Sequence, residues 1–85
     1  MEKKQALEDF KNNLDRIFDP DFGDFKRKCG NYITRLAPHF LDNSECFEIL
    51  KDLKHYVVFN DNLRTPEEVL FYIDHKIHQI QDRIQ

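Results

Sequence analysis

Eighty-five residues suffice for one small domain, and a chain of this length buries only about two-thirds of the surface its unfolded form exposes. Eight Phe and three Tyr, with no Trp, carry the apolar payload, while two Gly and three Pro leave little room for loops. A net charge of −3 argues against a nucleic-acid binder with a broad basic surface, and no apolar run approaches the roughly 20 residues that span a bilayer.

The first apolar stripe, Leu7, Phe10, Leu14, Ile17 and Phe18, has the 3.6-residue period of an amphipathic helix and predicts one over residues 3–18. The opening Met1-Glu2-Lys3-Lys4 runs into this charged pattern and not into the apolar core of a signal peptide, so a cytoplasmic protein is expected. Asp19-Pro20 interrupts the stripe. Asp19 would cap a second helix with Pro20 at its first position, and Asp21 is a rival cap. The second stripe is Phe22, Phe25, Cys29, Tyr32, Ile33 and Leu36, with Gly30 beside it as a place where another helix can approach closely. Lys26, Arg27, Lys28 and Arg35 make the outside of this helix positive. No exposed aromatic is interleaved with them, so no nucleic-acid partner is expected. Pro38 should end or kink the helix near Leu36 or Ala37.

Asp42 and Glu45 have capping-box spacing at the start of a third helix, with Leu41 placed to pack on Cys46. Its stripe is Cys46, Ile49, Leu50, Leu53 and Val57. His55-Tyr56-Val57-Val58-Phe59 is rich in β-formers, but the chain has no second strand-like run to pair with it, so it is expected to be helical. Asn60-Asp61-Asn62 is a turn. Thr65, Pro66 and Glu68 form the strongest helix start in the chain. The fourth stripe, Val69, Leu70, Ile73, Ile77, Ile80 and Ile84, alternates steps of three and four as a bundle seam does. The expected fold is therefore all-α, a small antiparallel four-helix bundle or an orthogonal variant of it.

Cys29 and Cys46 lie on apolar faces at positions that do not pair easily in antiparallel helices, and are expected as reduced core residues. No Ser-His-Asp or Cys-His order, Gly-rich phosphate loop or Cys-x-x-Cys occurs, so no catalytic residues are assigned. His75, His78 and Asp82 share one face of the last helix. Their spacing is not that of zinc proteases, and a solvated polar face is expected, with neither metal nor cofactor.

The remaining features point to a partner. Phe71 projects about 150° from the centre of the last stripe at 100° per residue, on the same outer face as His75 and His78. Phe47, Val58 and Phe59 fall off the apolar line of the third helix. Either the chain covers these side chains or another molecule does. If the helices alternate in direction, Asp19, Asp21, Asp24, Asp61, Glu67 and Glu68 gather at one end against Arg16, Lys26 and Arg64, an acidic surface suited to a basic partner.

The ten residues Asn60 to Val69 are similar to the entry into the last helix of the colicin-nuclease immunity proteins, whose length and helix count this chain also resembles. The tyrosine pair followed by proline in that family's short third helix is not matched by His55-Tyr56-Val57-Val58-Phe59, and no family is assigned. The leading expectation is a non-catalytic protein–protein interaction module of inhibitor, immunity, adaptor or chaperone type, with another protein as partner and no membrane. The alternatives are a self-associating subunit such as a homodimer, and a metal-binding protein or enzyme using His75 and His78.

Overall fold

Four helices alternate in direction around one apolar core in a computed structural model that describes residues 2–84. The chain is about 80% helical, with no strand among the described residues. Its radius of gyration, 12.2 Å, matches the roughly 12 Å expected of a packed chain this long.

Helix α1 spans Lys3–Leu14, four residues shorter than its apolar stripe predicts. Pro20 accounts for the difference. Its ring would clash with the Arg16 carbonyl in a continuing helix, and it disfavours helical backbone at Asp19. The chain instead tightens, with Arg16 N–H donating to the Asn13 carbonyl and Ile17 N–H to that of Leu14. Ile17 stays buried, but Phe18 turns out of the core and is 78% exposed.

Helix α2 spans Phe22–Leu36 and is capped by Asp21, not Asp19. Asp21 Oδ1 accepts the Asp24 N–H at 2.9 Å, and Asp19 Oδ1 accepts the Asp21 N–H at 2.8 Å. Asp19 therefore shapes the turn that presents the cap, with Pro20 outside the helix. As predicted, the helix stops at Leu36. A turn of 3-10 helix, Ala37–Phe40, accommodates Pro38 and drives Phe40 to full burial.

Helix α3 spans Ser44–Phe59 and continues through the β-forming stretch 55–59 as expected. Its cap is Asn43, whose Oδ1 accepts the Cys46 N–H at 3.1 Å, one residue later than the predicted Asp42. Asn and Asp are equally good caps, so this choice lies with the preceding 3-10 turn. Asp42 is released to pair with Lys3 at 2.8 Å, and Glu45 to bond Arg83. Leu41, now two residues before the cap, is out of staple register and 70% exposed.

Helix α4 spans Pro66–Ile84. Thr65 Oγ1 accepts the Glu68 N–H at 3.2 Å and its hydroxyl donates to Glu68 Oε1 at 3.2 Å. The side-chain half of the predicted box thus closes onto the hydroxyl.

The Lys26 ammonium donates to the Asn60 carbonyl at 3.0 Å, tying the start of α2 to the end of α3. Lys3–Asp42 and Arg83–Glu45 tie the other end. Each helix packs on its neighbours in the order α1, α2, α3, α4 and back to α1, and α2 also approaches α4, whereas the backbones of α1 and α3 do not come close. All of Leu7, Phe10, Leu14, Phe25, Ile33, Leu36, Leu50, Leu53, Ile73, Ile77 and Ile80 are buried in the core. Gly30 admits the close approach its position predicts: a methyl group there would lie 2.6 Å from Val58 Cγ2. Val58 is thus packed against α2, although it falls off the apolar line of its own helix.

Candidate interaction surfaces

Two faces of the bundle carry side chains that the core does not use. The first is the outer face of α3 and α4. Tyr56 and Tyr72 stack between these helices with centroids 4.4 Å apart, and Lys76 lies 5.6 Å over Tyr72. Beyond this pair, at about 100° per residue, Phe59 and His55 project outward from α3, and Phe71 and His75 from α4. Phe71 is 78% exposed and Phe59 69%, so the chain itself covers neither. The His55 and Phe59 rings are 5.0 Å apart and, with Tyr56, border a shallow depression of about 240 Å³.

Phe47 departs from this picture. It is half-buried, with the Lys51 ammonium 5.9 Å over its ring, and does not join Phe59 in one patch. His78 is exposed on α4, its Nδ1 2.9 Å from the Asp74 carbonyl oxygen, and His75 Nε2 lies 3.4 Å from the Gln79 amide. Among the described residues no three His, Cys, Asp or Glu side chains are grouped to hold a metal ion.

The alternating helix directions do bring the α1–α2 loop and the α3–α4 turn to one end. Asp21, Asp61 and Glu67 are exposed there. Asp19 is committed within the chain: its carboxylate bonds the Asp21 N–H and pairs with Lys28 at 2.9 Å. Those contacts, the backbone one foremost, hold its carboxyl below the ordinary Asp value of 3.8. Lys26, expected on the outside of α2, is buried, its ammonium 5.5 Å over the Phe22 ring.

The second face is the groove between α1 and α2, which the apolar periodicity does not reveal. Ala6, Phe10 and Leu36 contribute to a notch of about 190 Å³ that opens between the helices. Tyr32 and Arg35 line both this notch and an adjoining depression of about 280 Å³, where they meet Arg16, Phe18 and Lys28. By spacing alone Phe18 belongs to the apolar stripe of α1. The signal that places it here is Pro20, which stops α1 before the stripe is complete.

Both cysteines are free and buried. Burial pushes the Cys29 thiol up to about 12 and raises that of Cys46. Such thiols are poor nucleophiles. Comparison with known proteins finds no family model, no curated protein and no solved structure that matches this chain.

Proposed function

We propose that this protein is a non-catalytic interaction module that engages another protein through the outer face of α3 and α4. The observation that carries the reading is the exposure of Phe71 and Phe59 on two packed helices, around the Tyr56–Tyr72 stack. Leaving a phenylalanine in water forgoes about 1.5–3 kcal/mol of available burial, and a rigid aromatic side chain is the usual anchor of a binding surface. His55 and His75 beside these rings supply donors and acceptors at the rim.

A photo-crosslinking residue placed at position 71 tests this in the native host. One dominant adduct is expected, absent when the crosslinker replaces Asn12, exposed on α1. Phe71→Asp should retain the melting temperature of the parent and lose the complex. A large fall in melting temperature would show that Phe71 serves the fold instead. Self-association is the second reading, favoured by the same aromatic face. Sedimentation velocity distinguishes it, since the adduct would then be a second copy of the chain and Phe71→Asp would be a monomer.

A further inference from the structure

The α1–α2 groove lies on the opposite side of the bundle from the α3–α4 face, and its chemistry is different. Its notch is floored by apolar atoms of Ala6, Phe10 and Leu36 and has room for one large side chain. Asp9 also lines it, its carboxylate accepting from the Gln5 amide at 3.0 Å, but three cations against Asp9 and Asp19 leave the rim net positive. Arg16, Lys28 and Arg35 surround the adjoining depression, with Phe18 exposed at its edge. Lys28 is paired with Asp19, whereas Arg16 and Arg35 form no ion pair among the described residues. In a chain of net charge −3 this is a local reversal of sign.

We propose that this groove docks an acidic peptide segment of another protein, with a large apolar side chain in the notch and carboxylates on Arg16 and Arg35. The planar guanidinium matches a carboxylate with two parallel donors, and an unpaired arginine at an apolar rim has that capacity unspent. A single-stranded nucleic acid fits less well. The Arg35 guanidinium already lies 5.5 Å over the Tyr32 ring, which removes that face as a stacking platform, and the floor of the notch, formed by Ala6, Phe10 and Leu36, is apolar where a base edge needs polar partners.

Fluorescence anisotropy on the full chain tests the assignment at low salt. The probes are fluorescein-labelled peptides of about twelve residues, Glu and Asp throughout except for a central Phe, Leu or Ala, and a labelled oligo-dT of about twelve nucleotides. The Phe- and Leu-centred peptides are expected to bind, and the Ala-centred one about tenfold more weakly, as loss of an apolar anchor requires. Arg16→Gln with Arg35→Gln should weaken the Phe-centred peptide about tenfold or more at unchanged melting temperature. Phe71→Asp should bind it as the parent does, so this groove and the α3–α4 face succeed or fail separately. The proposal is overturned if no acidic peptide binds, or if binding ignores the central residue or the two arginines. It is also overturned if oligo-dT binds more tightly than the peptides and is lost in the arginine variant.

Discussion

At Gly30 the helix pair α2–α3 depends on a missing methyl group. An added Cβ would gain about 1 kcal/mol of helix propensity, but it would sit 2.6 Å from Val58 Cγ2. Val58 is β-branched and has essentially one rotamer in a helix, so it cannot swing aside. Overpacking of this kind costs about 1–3 kcal/mol. Gly30→Ala is therefore expected to lower stability in urea titrations, and Val58→Ala should lower it less in the Gly30→Ala background than in the parent. Strict additivity in that double-mutant cycle would show that the two side chains are not in conflict. Thr65 acts in a simpler way. Its hydroxyl satisfies one otherwise orphan N–H, that of Glu68, and Thr65→Ala should cost about 0.5–2 kcal/mol in the same titration. Binding at the α3–α4 face should be unaffected, because Thr65 is not among the outer aromatics.

Between elements, short polar bridges set how the loops lie on the bundle. The 15–21 segment is held to α2 by Lys28, which pairs with Asp19 at 2.9 Å and donates to the Phe18 carbonyl at 3.4 Å. Asp42 is held to α1 by Lys3 in the same manner, and that contact lowers its carboxyl below 3.8. A carboxylate whose folded value is depressed contributes its stability above the unfolded value and loses it as the pH falls through the folded one. Acid titration followed by circular dichroism should show parent stability declining below about pH 4. The Asp19→Asn/Asp42→Asn variant should show a shallower decline, and identical acid limbs would remove both contacts from the stability of the fold. On α4, His75 and His78 are engaged with Gln79 and Asp74 on one exposed face. A ligand that binds only the folded state must raise its melting temperature. Near-stoichiometric zinc should leave that temperature unchanged, and a rise abolished by His75→Ala with His78→Ala would establish a metal site.

Across the whole molecule, the four helices form two layers with chemically distinct outer sides. The α3–α4 layer presents Phe71 and Phe59 around stacked tyrosines, whereas the α1–α2 layer presents an apolar notch under unpaired arginines. In a bundle this small the core has no residues to spare, so both proposed binding sites sit on faces that packing leaves over. The expected outcome is a division of labour: Phe71→Asp removes association at one layer and Arg16→Gln/Arg35→Gln weakens it about tenfold or more at the other, with the core untouched. Far-ultraviolet circular dichroism of both variants should overlay that of the parent.

Helix count, the α3 and α4 stripes and the outward direction of Phe71 were all legible in the residues, because helical periodicity is local and each stripe holds its phase over several turns. Thr65-Pro66-Glu67-Glu68 announced its helix for the same reason, since a cap needs only its own neighbours. Where adjacent residues compete for one role, the local signal is degenerate. Asp19 and Asp21 are both competent caps, as are Asp42 and Asn43, and the turn geometry around Pro20 and Pro38 decided between them. Phe40 stands four residues beyond Leu36 but past Pro38, where the α2 stripe is expected to end, so its complete burial was decided by how the 3-10 turn packs. The groove of Arg16, Phe18 and Arg35 joins the end of α1 to residues a helix away. Its chemistry exists only once two elements are packed side by side, and no single-helix pattern encodes that separation.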